Sequence, residues 1–255
     1  MKVAAVQYKA VKGDKRASLA RLAALADEAG GGAHLLVLPE MAATGYVFAN
    51  REAIEPHAEH SEGETFQVLR KIARERRCWI VSGFAERDND RLYNSAHIIA
   101  PSGDLHACYR KTLLYDTDKT WALPGDSGYV RVETPVGAFT VGICMDLNDD
   151  RFIHWCRAAD VRAIAFPTNW LDQGANVWPY WAWRLEGVPA ALVAANTYGP
   201  EEELRFIGES AVIQGRRLLA SAPPSGDCII RASIALPRGA APRSPSVSDS
   251  DLPSQ

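Results

Sequence analysis

Apolar and polar positions along this chain switch between a helical and an extended period, and the switches set out its elements. KVAAVQY, residues 2–8, is apolar almost throughout and predicts a strand. In DKRASLARLAALADEA, residues 14–29, apolar side chains return at Leu19, Leu22, Ala23, Leu25 and Ala26, the spacing of one helix face. Asp14 stands as its N-cap and Gly30-Gly31-Gly32 as its stop. AHLLVLPE then runs apolar without alternation, as a strand buried on both faces does. A second amphipathic helix over 64–76 leads into a strand in CWIVSGFAE. RLYNSAHIIAP and GDLHACYRKT read as the arms of a hairpin joined at Pro101-Ser102-Gly103.

Farther on, YVRVETPVGAFTVGIC holds two strands turned at Thr134-Pro135-Val136-Gly137. A helix is expected around Arg151 to Ala159, a strand in RAIAFPTN, a helix over 177–187 and a strand in AALVAANTY. A last hairpin is expected from RFIGESAVIQ and RLLASA. Helices alternating with buried strands indicate an α/β fold, and the interspersed hairpins indicate mixed sheets with helices on their outer faces. PRGAAPRSPSVSDSDLPSQ, over 237–255, has almost no bulky apolar residue and is expected as a flexible Pro/Ser-rich tail, leaving 1–236 as one domain.

The composition narrows the classes of function. With 255 residues, 47% hydrophobic, the chain can bury a large core. A net charge of −3 and no long Lys/Arg run give no sign of nucleic acid or a membrane surface as partner. No apolar run approaches 18 residues, and MKVAAVQYKA turns polar too soon for a signal-peptide core. Five cysteines without paired spacing argue against a disulfide framework or a cysteine-rich metal site and favour a reducing, cytoplasmic setting. The six histidines show no metal-ligand spacing; only His57 and His60 lie close together, on a loop expected to be exposed. No metal or cofactor is expected.

Three apolar strands end in residues with chemical potential. VLPEMAATGY carries Glu40, CYRKTLLYDTD carries Lys111, and VGICMDLN carries Cys144. Singly, each has a bland reading: a solvated loop acid, a surface lysine, a core thiol. Together they supply one chemistry. A thiol is mostly protonated at neutral pH and needs a base, which a partly desolvated carboxylate provides. An ammonium then stabilises the oxyanion formed when sulfur attacks a carbonyl.

LPE at 38–40, YRK at 109–111 and GICMD at 142–146 resemble, in order and spacing, the Glu-Lys-Cys triad of the nitrilase, or carbon-nitrogen hydrolase, superfamily. The resemblance extends from VAAVQ at 3–7 through PTNW at 167–170 to VPAALVAAN at 188–196 and FIGESAVI at 206–213. Within the superfamily, GICMDLN and LLYDTDKTW are most similar to the N-terminal amidase branch, which deamidates Asn or Gln side chains at protein N-termini.

The resemblance implies a four-layer αββα sandwich, usually dimeric through one helical face, and a cofactor-free acyl-enzyme mechanism. Glu40 would be the base, Cys144 the nucleophile, and Lys111 with the Met145 backbone N–H the oxyanion stabilisers. Many members carry a second glutamate before a Pro-Gly turn. Counting back from Pro124-Gly125, this chain has Asp118 at that register with Asp116 nearby, one methylene shorter, so the helper role falls to either or to neither.

Asn169 and Trp170 follow a strand and are placed for substrate binding, whereas Trp178, Trp181 and Trp183 are expected mainly in packing. Asn196 is either a site residue or a buried turn amide, and Arg184 and Glu186 are expected as a structural pair. The function implied is hydrolysis of a non-peptide amide, in a small molecule or at a peptide N-terminus. The same triad would serve a nitrile or N-carbamoyl substrate, and a non-catalytic binding protein retaining the fold is the alternative from another class.

Overall fold

A computed structural model describes residues 1–235; the segment expected as a tail, 237–255, lies outside them. Fourteen strands and five α-helices occur in these residues. The first sheet contains β1 (Lys2–Gln7), β2 (Leu35–Val37), β3 (Trp79–Asp88), β4 (Arg91–Ile99), β5 (Leu105–Arg110) and β14 (Cys228–Ser233), in the order β14-β1-β2-β3-β4-β5. The second contains β6 (Arg131–Val132), β7 (Phe139–Val141), β8 (Ala163–Thr168), β9 (Ala191–Asn196), β12 (Ala211–Gln214) and β13 (Arg217–Ser221), in the order β13-β12-β9-β8-β7-β6. Each sheet has a parallel centre, β1-β2-β3 or β7-β8-β9, with antiparallel strands on both flanks. A small hairpin, β10 (Tyr198–Glu201) with β11 (Leu204–Ile207), stands apart from both.

Helices α1 (Lys15–Gly30) and α3 (Glu64–Arg76) cover the first sheet; α2 (Arg51–Ile54) is a single turn; α4 (Asp150–Ala158) and α5 (Trp178–Arg184) cover the second. Strand alternation explains the layering. Val3, Ala5, Leu35, Val37 and Val81 face Phe139, Val141, Ala165 and Val193 across the sandwich. Their neighbours Ala4, Val6, Leu36, Leu38 and Ile80 pack under Leu22, Leu25, Phe66 and Leu69 of α1 and α3. Alanines at 163, 165, 191 and 195 let the larger side chains of the facing sheet interdigitate. The result is the expected αββα sandwich.

Asp14 caps α1 by accepting from Ala17 N at 2.9 Å, and α3 runs from Glu64 to Arg76 as its pattern predicts. Two expectations are corrected and one strand is added. RFIGESAVIQ is two strands, because Gly208 at φ +71° and Glu209 at φ +51° break it, and its first half pairs with β10. CIIRAS, for which the pattern predicts nothing, is β14 and seals the edge beside β1; its half-buried pattern lacks the continuous apolar run of the central strands. Arg184 and Glu186 do not pair. Arg184 binds Asp150 Oδ1 at 2.8 Å and Leu147 O at 2.9 Å, while Glu186 reaches Arg216 at 3.7 Å.

Candidate active site

The parallel strands of both sheets deliver their following turns to one rim, where ligands gather in α/β sheets. After β2, Pro39-Glu40-Met41 crosses directly over β3 at Gly83. A Cβ at Gly83 would lie 2.4 Å from Glu40 Cα and 2.7 Å from Met41 N, so only glycine permits the crossing. Gly83 N donates to Pro39 O at 3.0 Å and Ala42 N donates to Gly83 O at 3.1 Å, which fixes Glu40 in place. Lys111 extends β5, its backbone N donating to Asn94 O at 2.8 Å. Asp118 begins a single 3₁₀ turn, Asp118–Thr120, farther along the same loop.

Cys144 opens a 3₁₀ turn, Cys144–Asn148, beyond the end of β7, with φ +42°. Such a conformation costs a residue with a side chain about 1–3 kcal/mol and persists only where its surroundings hold it. Asp146 holds it. Its buried carboxylate accepts from Ile143 N at 2.9 Å and Tyr109 Oη at 2.8 Å through Oδ2. Through Oδ1 it accepts from Thr112 N at 3.0 Å, Thr112 Oγ1 at 2.8 Å and Leu113 N at 2.9 Å. The turn bearing Cys144 is thereby fastened to the residues on both sides of Lys111.

Lys111 Nζ donates to Glu40 Oε1 at 2.7 Å and to Asp118 Oδ2 at 2.6 Å, and all three side chains are fully buried. Asn94 Nδ2 bridges the two acids, donating to Glu40 Oε1 at 2.7 Å and Asp118 Oδ1 at 3.0 Å. Glu40 Oε2 accepts from Asn169 N at 2.8 Å, and Tyr115 N donates to Asp118 Oδ2 at 3.0 Å. Of the two acids left open by the sequence, Asp118 is in this cluster; Asp116 points to solvent and pairs with Lys119.

Burial sets the protonation states. It raises the Glu40 carboxyl, as does the nearby Asp118 charge, against the pull of Lys111 and Asn94. Burial alone would lower the Lys111 ammonium, but Asp118 and Glu40 outweigh it and hold Lys111 well above its ordinary value. The Cys144 thiol is pushed up to about 12, by burial first and then by the Glu40 charge. At neutral pH the resting sulfur is therefore a thiol.

Above Cys144 lies a small pocket of about 70 Å³, lined by Tyr46, Tyr115, Cys144, Met145, Asn148, Asn169, Trp170, Leu171 and Gln173. Trp170 packs edge-on against Trp181, with ring centroids 5.6 Å apart, and Trp181 is core; Trp183 is exposed. Asn196 is a structural amide. Its Oδ1 accepts from Trp170 N at 2.8 Å and Thr197 N at 3.0 Å, and its Nδ2 donates to Gly208 O at 2.6 Å. His57 packs near Phe48 at 5.6 Å and His60 is exposed; neither lines the pocket.

Sequence reading missed Asn94 and Asp146. Asn94 is one polar position inside a buried hairpin arm, which was a usable signal. Asp146 resembled an ordinary loop former, and nothing in its neighbours pointed to five donors. Among the described residues no cluster of three or more His, Cys, Asp or Glu is arranged for a metal, and no helix is long and apolar enough to cross a membrane.

Comparison with known proteins places the chain in a family. The carbon-nitrogen hydrolase family model matches residues 2–241. A protein N-terminal amidase of Schizosaccharomyces pombe is 29% identical over 86% of this chain and 94% of its own length. A nitrilase of Pyrococcus abyssi is 36% identical over 71% of this chain and 68% of its own. In fold, the chain matches an N-terminal amidase solved with an Asn-Glu-Ala peptide, at TM-score 0.80 and 18% identity over 91% of this chain and 97% of that one. It also matches a mutant amidase from Nesterenkonia sp. in complex with butyramide, at TM-score 0.77 and 22% identity over 91% and 90%. This protein is an enzyme of the carbon-nitrogen hydrolase family.

Proposed function

We propose that the enzyme hydrolyses the carboxamide of a small amide, or of an Asn or Gln side chain at a peptide N-terminus, through a thioester on Cys144. The observation that carries this reading is the buried contact of Glu40 with Lys111 behind a pocket that Cys144 lines. Glu40 Oε1 is occupied by Lys111 and Asn94, whereas Oε2 receives only the Asn169 amide and is the oxygen free to take a proton. The S–H proton passes to Glu40 as sulfur attacks the carbonyl carbon. Two of the three Lys111 N–H groups bind carboxylates, and the third, with the Met145 backbone N–H, faces the oxyanion. Glu40 returns the proton to the departing nitrogen, ammonia leaves, and a thioester remains. Glu40 then deprotonates water, which attacks the thioester, and the acid and free thiol are released.

A thiol held up to about 12 supports general-base catalysis over a preformed thiolate. The N-terminal amidase relative and the peptide and butyramide complexes of the structural neighbours support an amide substrate. Ammonia release should be measured with butyramide and with Asn- and Gln-initiated peptides. Cys144→Ser is expected to abolish it with the fold retained by circular dichroism; retained turnover would overturn the assignment.

A further inference from the structure

The hairpin of β10 and β11 belongs to neither sheet, yet two walls of the pocket over Cys144 hang on it. Along one side, β11 pairs with the segment after β8. Phe206 bridges Leu171, Ile207 N donates to Trp170 O at 3.0 Å, and Asp172 N donates to Arg205 O at 2.9 Å. Along the other side stands Glu201, the last residue of β10. Its Oε1 accepts from Tyr46 N and from Val47 N, each at 2.7 Å. Phe206 meets the Tyr46 ring edge-on, with centroids 5.8 Å apart. Tyr46, Trp170 and Leu171 all line the pocket.

The contact at Glu201 is closely fitted. Gly45 has φ +78°, and a Cβ there would lie 3.1 Å from both carboxylate oxygens, so glycine lets the acid reach the backbone. Thr44 N and Gly45 N donate to Met41 O at 3.1 and 3.2 Å, which joins this point to the turn bearing Glu40. Gly83 therefore fixes the upstream end of one short segment and Glu201 its downstream end. The hairpin is itself tied down: Lys12 pairs with Glu202 at 2.8 Å, Tyr198 Oη donates to Asp227 at 3.0 Å, and Lys9 donates to Pro200 O.

We propose that Glu201 is a positioning residue for substrate size: by holding the Tyr46 backbone to the hairpin, it fixes how far the aromatic wall stands from the Cys144 turn, and so how long an acyl chain the pocket admits. The pocket is small, about 70 Å³. A tight apolar pocket separates chains that differ by one methylene by about 10- to 200-fold, provided that its wall does not give way. Without the carboxylate, two backbone N–H groups lose their acceptor, and the 45–47 segment must move to find another. Lys111 stays held by Glu40 and Asp118 when the wall moves, so the chemistry is less affected than the fit. The proposal rests on the amidase reading above and adds to it what sets the size of the substrate.

The test compares butyramide with hexanamide in wild-type enzyme, Glu201→Ala, Glu201→Asp and Glu201→Gln. In Glu201→Ala, KM for butyramide is expected to rise about tenfold while kcat changes less than about threefold, the mark of lost uniform binding. The kcat/KM ratio of hexanamide to butyramide should rise about tenfold, the discrimination of one methylene. Glu201→Asp, which withdraws the carboxylate by one methylene, should shift the ratio in the same direction and decides the matter if the alanine variant does not fold. Glu201→Gln keeps an oxygen able to accept both N–H groups, so its ratio should stay within about twofold of wild type. In a Tyr46→Leu background, adding Glu201→Ala should move the ratio by less than about twofold, because the acid acts through Tyr46. An unchanged ratio in the alanine and aspartate variants, an equal loss of kcat on both amides with KM constant, or a full shift without Tyr46 would overturn the proposal. The same wall is read without turnover from the rates at which methyl and pentyl methanethiosulfonate label Cys144, measured by peptide mass spectrometry. Glu201→Ala should bring the two rates closer together, and an unchanged rate ratio overturns the proposal. Wild-type enzyme that turned over no amide would sink the amidase reading alone, with the labelling rates still deciding the role of Glu201.

Discussion

Lys111 Nζ stands 2.6 Å from Asp118 Oδ2, an ion pair with no solvent access on either side. Its second carboxylate, Glu40, is 2.7 Å away, so one ammonium serves two acids and Asn94 ties the acids together. The shorter side chain at 118 reaches because the 3₁₀ turn starting there brings its backbone close, with Tyr115 N donating to the same oxygen. Asp118→Asn keeps the shape and removes the charge. Breaking a buried pair costs about 3–5 kcal/mol, and the remaining Glu40 places this one at the low end. A fall in Tm of several degrees and at least about a tenfold fall in kcat/KM are expected. Calorimetry and steady-state ammonia release check both; unchanged kcat/KM would remove Asp118 from the reaction.

The pH profile follows from two shifts. In the proposed mechanism Glu40 is ionised when it accepts the thiol proton, and its carboxyl is raised by burial. Below its pKa the base is protonated, so kcat/KM should rise with pH along a limb lying above the ordinary carboxylate range. The Cys144 thiol, at about 12, should add no second limb below pH 9. Glu40→Gln should lose about 10²–10⁴ in kcat, the size of a general-base contribution. A limb near pH 8.5 in wild-type enzyme would indicate a free thiol instead.

Gly83→Ala tests how Glu40 is placed. The added Cβ meets backbone at 2.4 Å, which side-chain motion cannot relieve, so the 39–41 turn must lift. Overpacking of this kind costs about 1–3 kcal/mol. Activity should fall through kcat more than KM, because the base moves while the pocket wall does not. A variant with wild-type kcat would show that the turn has slack.

His97 gives the fold an acid sensitivity independent of the site. It is fully buried, stacked on Phe84 with centroids 3.5 Å apart, and Nε2 lies 2.9 Å from Ser61 O. Burial lowers it to about 3, far below the value of an unfolded histidine. Between those values the unfolded chain binds a proton that the folded chain does not, so stability is full above about pH 6.5 and falls as pH drops. At pH 5 this one group should remove about 2 kcal/mol relative to pH 7.5. Denaturant unfolding at both pH values should show that difference in wild-type protein and less of it in His97→Phe. An equal pH dependence in the two would assign it elsewhere.

The layers were legible from local pattern because burial on both faces leaves a continuous apolar run, as in AHLLVLPE and AALVAAN, and a helix stripe leaves a 3.6 period, as at 64–76. Short-range information failed where partners are distant. CIIRAS becomes β14 only because β1, more than 200 residues earlier, offers it an edge. RFIGESAVIQ divides because Leu204–Ile207 pairs with Tyr198–Glu201.

The same division holds at the site. The sequence by itself determined that an acid, a lysine and a cysteine each follow an apolar strand, since strand ends and turn formers are written in neighbouring residues. Only the tertiary structure decided that Lys111 sits between Glu40 and Asp118, that Asn94 bridges them, and that Asp146 holds the Cys144 turn. Hydrogen bonds act over about 3 Å in space, and the backbone's path through two sheets, not distance along the chain, sets which groups come that near.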